Sequence, residues 1–191
     1  MHMLRGHRVT LRPICEEDLS LLWRLGNDIN AKGSYWPAEL YTETELKQKF
    51  NEHGLWQDTA GTMLIIDAQT DRLLGELYYF KGLLYQAGLE VGYRLYRPED
   101  RGKGYMTEAL QLFIAFLFAS RPLPRLQLNV LKGNQGSRIV AERCGFQYEG
   151  TLRQAVFHMG TYLDLEMFSM LRSEAPSLEA LLHEPTVETK K

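Results

Sequence analysis

The stretch RPEDRGKGYMTEAL, residues 97–110, sets two glycines and a cluster of cations immediately before a long amphipathic run. The first N–H groups of a helix have no intrahelical partner and carry partial positive charge, so a helix start is a ready anion site. Gly102 and Gly104 would let an anion approach that backbone closely, and Arg101 and Lys103 would add positive potential. The chemistry this suggests is phosphate binding, yet two well-known phosphate motifs fail. A nucleotide-hydrolase loop needs Gly, four residues, then Gly-Lys-Ser/Thr, but Gly102-Lys103 is followed by Gly104 and position 97 is Arg. The dinucleotide fingerprint fails at its third glycine, because position 107 is Thr. Taken alone, the glycines fit a plain strand-to-helix turn equally well. A second pair, Asn134 and Ser137 in NQGSRIVAERCGF (134–146), shares one face of a helix's first turn, where Asn134 also suits an N-cap.

Other chemistries find less support. The five histidines, at 2, 7, 53, 158 and 183, show no metal-ligand spacing, and no metal is expected. Cys15 and Cys144 make neither a disulfide framework nor a paired metal motif. With no His nearby in sequence, Cys144 reads as a buried helix residue rather than a nucleophile. The chain has 191 residues, of which 45% are hydrophobic and 24% charged, as expected for one soluble domain with a sizeable core. A formal charge of −2 and the lack of a long basic run argue against nucleic acid or a membrane surface as partner. The longest apolar stretch, LQLFIAFLFA (110–119), is about half the length of a membrane span. The opening MHMLRGHRVTL lacks a signal peptide's apolar core, so a cytoplasmic location is expected.

Periodicity supplies the elements that must position these groups. HRVTLRPI (7–14) alternates as a strand, and CEEDLSLLWRLGN (15–27) has helical spacing with acids in its first turn. KGSYWPAEL (32–40) is a loop by composition. YTETELKQKFNEHG (41–54) is a helix with Thr42 and Glu45 as a capping box and Gly54 as terminator. Strands follow at 61–67, 72–80 and 87–96, the last broken toward Pro98. A helix runs from 104 to about 119, a strand over 125–132 and a short helix over 134–145, and FQYEGTLRQ and TYLDLEMFSML give two last strands. The order β-α-α-β-β-β-α-β-α-β-β implies an α+β fold: a mixed, mostly antiparallel sheet of about seven strands with helices on both faces. Residues 1–172 form the expected domain, and 173–191 a polar tail with at most a short helix near 177–182 and a disordered end.

In this order the pieces resemble the GNAT acetyltransferase superfamily, specifically its RimJ/RimL-like branch. EDRGKGYMTEAL is similar to the superfamily's Gln/Arg-x-x-Gly-x-Gly/Ala loop, which binds the coenzyme A pyrophosphate through backbone N–H groups. Asn134, Ser137 and the Gly145-Phe146 pair match the intervals of its second motif. RVTLRPICEEDL and GTYLDLEMFSML resemble the branch's first and last strands, so the likeness spans roughly residues 7–172. One position departs: Glu99 stands where the family has Gln or Arg, and an ionised carboxylate cannot donate to phosphate. Arg101, Lys103 and the helix start must then supply the positive potential.

The resemblance implies acetyl-CoA as co-substrate, with no metal. It places the coenzyme on Leu95, Tyr96 and Arg97 at the end of a splayed strand, on Arg101, Gly102, Lys103, Gly104, Tyr105 and Met106 in the loop, and on Asn134. Glu90, flanked by Leu89 and Val91, is the first choice for a general base whose pKa burial would raise, although alternation alone equally allows it to face solvent. Glu76 and a water are its rivals, and Asn129, where some relatives carry an acid, cannot serve. The Tyr that many members place seven residues after the motif Asn is Ala141 here, whereas the branch's Ser is Ser137, able to hydrogen-bond the coenzyme sulfur. Tyr35 and Trp36 either border the acceptor site or pack as an ordinary staple onto the core. The function implied is direct acetyl transfer to a primary amine. A weak base suits a protein N-terminal α-amine, with a reference pKa of about 8 against about 10.4 for lysine, or another amine of low pKa, slightly better. Small-molecule amines (an antibiotic, a polyamine, an amino-sugar) and a non-catalytic acyl-CoA-binding module are the alternatives, and a homodimer is left open.

Overall fold

The computed structural model describes residues 3–36, 39–82 and 87–182. Its strands are β1 (Leu4–Arg5), β2 (Val9–Pro13), β3 (Ala60–Asp67), β4 (Leu73–Phe80), β5 (Leu89–Leu95), β6 (Arg125–Leu131), β7 (Gln147–His158) and β8 (Thr161–Leu171). They form one sheet in the order β1-β2-β3-β4-β5-β6-β8-β7. Eight strands thus appear where the pattern predicts about seven, because β1 is two residues long and shows no periodicity. The strand read at 146–154 extends to His158, and register shifts between Tyr148 and Gly150 and between Leu152 and Val156 interrupt the alternation that would have revealed its length.

The helices are α1 (Leu19–Asn27), α2 (Ile29–Lys32), α3 (Glu43–His53), α4 (Tyr105–Ser120), α5 (Gln135–Arg143) and α6 (Leu178–Leu181). The capping box of α3 forms as its sequence requires: Glu45 N–H donates to Thr42 Oγ1 at 3.1 Å, and Thr42 N–H donates to Glu45 Oε2 at 2.8 Å. Gly54 closes the helix in the left-handed region, with φ 62°. Among the described residues, no helix is long and apolar enough to cross a membrane.

The strands bury residues on both faces. On one, Val9, Leu11, Ile65, Leu77, Val91 and Leu128 pack against α4, which is apolar around most of its circumference. On the other, Leu64, Ile66 and Tyr96 meet Leu19 and Leu22 of α1, with Leu46 and Phe50 of α3 behind them. All strand pairs are antiparallel except β5 with β6, which α4 joins as a crossover. The stretch expected as a tail is ordered as far as residue 182. Ala175 and Leu181 pack on the α4 core, while Arg172 donates from Nε to Leu123 O and from Nη1 to Phe118 O, both at 2.8 Å, and also to Arg121 O. That side chain caps the C-terminal end of α4. Residues 183–191, where disorder is expected, and Pro37 and Ala38 of the 32–40 loop lie outside the described residues.

Candidate active site

The parallel pair opens almost as soon as it forms. β5 and β6 are in register only from Leu89–Val91 against Leu126–Leu128. Beyond that, β5 stays with β4 and β6 stays with β8. Tyr96 N–H donates to Leu74 O on the β4 side at 2.9 Å, so alternation turns the N–H groups of Tyr93 and Leu95 toward the opened side. A cavity of about 520 Å³ fills the wedge. Gly92 is needed there for space: a Cβ would lie 2.3 Å from Tyr78 Cζ, whose ring covers this part of the strand. Tyr93 bridges the wedge by donating its hydroxyl to Ser137 O at 3.0 Å, which fixes the head of α5 against β5.

At one end of the cavity lies the two-glycine loop. Gly102 and Gly104 have φ of 73° and 83°, and a Cβ at either would meet nothing within 4 Å. Glycine is therefore required by conformation, and the space above these residues is open. Among the described residues no acceptor takes the N–H groups of Gly102, Lys103 or Gly104. Two buried carboxylates hold the loop in place. Asp100, 1% exposed, receives both Nη groups of Arg72, and Asp67 accepts the Tyr105 hydroxyl at 2.8 Å. The Arg72 guanidinium keeps the Asp100 carboxyl below its ordinary pKa, so this acid stays ionised and paired, away from the loop's open side. Glu99 is exposed on the preceding turn. Arg8, which sequence reasoning missed, donates from Nη1 to Lys103 O and adds a cation beside the loop. The chain therefore offers open amides, a helix start and Arg101, Lys103 and Arg8, a set that fits a pyrophosphate.

Asn134 and Ser137 meet on the cavity wall as their spacing predicts. Asn134 Oδ1 accepts Ser137 N–H at 3.1 Å and caps α5. Ser137 lines the cavity beside the Tyr93 hydroxyl, with which its side chain also hydrogen-bonds. At the other end the segment 33–36 crosses the mouth. Tyr35 donates its hydroxyl to Gly133 O at 3.0 Å, and Ser34 O lies 2.7 Å from Nε2 of the buried His158. Trp36 meets Tyr78 edge to face with centroids 6.0 Å apart.

Leu95, Tyr96, Arg101, Gly102, Met106, Asn134, Ser137, Tyr35 and Trp36 thus share one cavity wall. Four of the residues expected at the coenzyme site lie off it. Arg97 turns back to Leu73 O and Tyr105 to Asp67, while Lys103 and Gly104 contribute backbone to the loop. Glu90 also lies off the wall, below the point where the strands part. Burial raises its pKa above the usual carboxylate range, while Gln127 and Asn129 oppose that rise by hydrogen bonding. Asn129 does line the cavity, and its Oδ1 is buried without a partner. Glu76 is fully engaged, accepting the Tyr96 hydroxyl at 2.8 Å and facing Arg94 Nε at 2.9 Å. Cys144 is buried, its thiol pushed up to about 12 by desolvation, in keeping with a packing role.

A sheet split between two parallel strands, beside a glycine loop at a helix start, defines the class of acyl-CoA-dependent acetyltransferases. Comparison with known proteins agrees: residues 8–147 match the acetyltransferase (GNAT) domain, and the chain belongs to this family. A probable N-acetyltransferase of Bacillus subtilis, YjcK, is 29% identical over 181 residues, covering 90% of this chain and 98% of the relative. Spermidine N(1)-acetyltransferase of Vibrio cholerae is 28% identical over 170 residues, covering 87% of this chain and 95% of its own. A crystal structure of the Vibrio cholerae spermidine N-acetyltransferase with CoA and spermine superposes with a TM-score of 0.76 at 27% identity, covering 87% and 97% of the two chains. The structure of RimL, a ribosomal L7/L12 alpha-N-protein acetyltransferase in complex with coenzyme A, gives 0.73 at 21% identity, with 89% and 98% covered, a likeness of fold alone. The protein is a GNAT N-acetyltransferase.

Proposed function

We propose that this enzyme transfers the acetyl group of acetyl-CoA directly to a primary amine inside the β5–β6 wedge. The observation that carries the reading is the opening of the wedge directly beside the loop at Gly102 and Gly104, so that an anion on the loop and a reacting group between the strands belong to one molecule. The loop amides, with Arg101, hold the pyrophosphate. The N–H groups of Tyr93 and Leu95 donate to the pantetheine and polarise the acetyl carbonyl, which lowers the barrier because charge develops there. Ser137 Oγ, on the facing helix beside the Tyr93 hydroxyl, hydrogen-bonds the sulfur as it leaves. Glu90 draws the amine proton through an intervening water, since its carboxylate does not itself reach the wall.

Within the family, Ser137 and Ala141 at their positions support the RimJ/RimL-like branch, and the indirect base supports an acceptor of low pKa such as an α-amine. The test is thiol release from acetyl-CoA with a panel of amines and peptides, alongside acetyl-CoA binding. Turnover of at least one amine is expected, and Ser137→Ala should lower kcat while leaving acetyl-CoA affinity unchanged. Binding of acetyl-CoA without turnover of any amine would instead identify a non-catalytic acyl-CoA-binding module.

A further inference from the structure

Among the described residues four tyrosines line the wedge cavity: Tyr35, Tyr78, Tyr93 and Tyr96. Three have committed their hydroxyls. Tyr35 donates to Gly133 O at 3.0 Å, Tyr93 to Ser137 O at 3.0 Å and Tyr96 to Glu76 Oε2 at 2.8 Å. The Tyr78 hydroxyl has no hydrogen-bond partner among the described residues. Phenols taken out of water ordinarily find a partner, so an unengaged one on a cavity wall is placed for something that enters the cavity.

Its ring is fixed at the apex of the wedge. Tyr78 stands opposite Gly92 in the β4–β5 ladder, one residue past Val91, where β5 and β6 stop pairing. A Cβ at Gly92 would collide with the hydroxyl oxygen and with Cζ alike, so the phenol lies directly over that backbone. Phe80 stacks on the ring with centroids 6.2 Å apart, and Trp36, itself 4.4 Å from the Arg94 guanidinium, meets it edge to face. A coenzyme whose pyrophosphate sits at Gly102 and Gly104 runs back along β5 past Leu95 and then Tyr93, which brings the acetyl end of its arm to Gly92. The two faces of the sheet differ there. Tyr93 and the head of α5, with Ser137, belong to the α4 side. By alternation Tyr78 shares the other side with Glu76 and Glu90, beneath Trp36.

A neutral amine has one lone pair, which must point at the acetyl carbon, so it can be held only through its N–H groups. No Asp or Glu lines the cavity among the described residues to receive them. We infer that the Tyr78 hydroxyl oxygen accepts one N–H of the acceptor amine and aims its lone pair at the acetyl carbon, which makes Tyr78 a catalytic residue of the transfer. The inference rests on the transfer reading above. Nitrogen arrives from the Tyr78 side while sulfur leaves toward Ser137 on the other. The N–C bond forms, the C–S bond breaks and its electrons depart on the thiolate; one nitrogen proton passes through water to Glu90, and Tyr78 keeps its own. Burial, then Glu76 and Glu90, push the pKa of this phenol up, and Arg94 opposes them by less. Tyr78 therefore stays protonated, a hydrogen-bond partner rather than a base. The same two carboxylates favour the positive charge that develops on nitrogen in the tetrahedral intermediate.

Tyr78→Phe tests this, because it deletes one oxygen and keeps the ring against Trp36 and Phe80. Thiol release from acetyl-CoA by the full chain is followed against the concentration of an amine that the wild type acetylates, with acetyl-CoA affinity by calorimetry and Tm measured alongside. The variant's kcat/KM for the amine should fall about 3- to 10-fold, as the loss of one neutral hydrogen bond requires, with acetyl-CoA affinity and Tm close to the wild type. An unchanged kcat/KM overturns the inference while amine transfer stands. A matching loss of acetyl-CoA affinity overturns it too, by putting the hydroxyl on the coenzyme, and a loss of activity that comes only with a lowered Tm marks a packing role and does the same. If the wild type acetylates no amine, the transfer reading itself fails and the inference falls with it.

Discussion

Substituting Gly102 separates two consequences of one backbone angle. Its φ of 73° and the empty space around a prospective Cβ mean that alanine there meets no clash and is opposed only by its own left-handed conformation. That costs about 1–2 kcal/mol. For a chain of this size about 1 kcal/mol moves Tm by roughly 2–4 °C, so Gly102→Ala should melt about 2–8 °C lower. Asparagine tolerates the left-handed region better, and Gly102→Asn should lie nearer the wild type. Either Cβ, however, stands in the opening above the loop amides. Losing one charge-assisted hydrogen bond to phosphate there costs about 1.5–3 kcal/mol, or about 10- to 100-fold in acetyl-CoA affinity by calorimetry. The expected signature is a Gly102→Asn protein of nearly native Tm that binds acetyl-CoA weakly. If Gly102→Ala melts lower yet binds acetyl-CoA as tightly as the wild type, the loop amides do not hold the anion and the argument for the wedge's orientation collapses.

Gly92→Ala forces Tyr78 out of its place, since the new Cβ would lie 2.3 Å from Cζ; a stability loss of about 1–3 kcal/mol is expected, together with a far larger loss of kcat/KM, and wild-type kinetics would refute the close approach. Glu90 has a raised pKa in the folded state, so the native protein binds its proton more readily than the unfolded chain, and stability is lost as pH rises through that raised value. Glu90→Gln should therefore melt above the wild type at pH 8 and converge with it near about pH 3, a unit below the unfolded glutamate's value, where both states of the wild type are protonated; equal melting temperatures across that range would show that the carboxylate is not desolvated. Arg172→Ala removes the cap on Phe118, Arg121 and Leu123 and should cost about 1–3 kcal/mol, with kcat and KM unchanged because α4 puts about 24 Å between that end and the loop; a change in KM would show that α4 transmits its C-terminal strain.

What could be read from the sequence was what local chemistry decides. Thr42 with Glu45, Gly54, Asn134 with Ser137, and the two glycines of the loop each act within one turn of the chain, and each appears where spacing puts it. The features that escaped are set by residues far apart. Nothing in GYRLY marks Arg94 as lying between Trp36 and Tyr96, and Arg8 is brought to Lys103 only by β2 crossing the head of α4. Glu90 was legible as a carboxylate in an apolar strand, but its position below the wedge follows from where β5 and β6 part, which alternation cannot reveal. β1 was invisible because two residues carry no period, and the ordering of residues 173–182 because Arg172 finds its carbonyl partners some fifty residues away.

The short seam between β5 and β6 has a consequence for cohesion. Three paired positions and the Gln127–Glu90 hydrogen bond tie a five-stranded leaf, β1 to β5, to a three-stranded leaf, β6 to β8, and the Tyr93–Ser137 bridge adds a tie from β5 to α5. Any ligand that threads the gap and bonds both margins takes the place of the missing rungs, and at a hundredfold excess over its Kd adds about 2.7 kcal/mol to the folded state. Amide hydrogen exchange should therefore slow on facing margins of β5 and β6 when acetyl-CoA is added, while β2 and β3 stay as they were. Unchanged exchange on both margins would show that the proposed coenzyme does not bridge the two leaves.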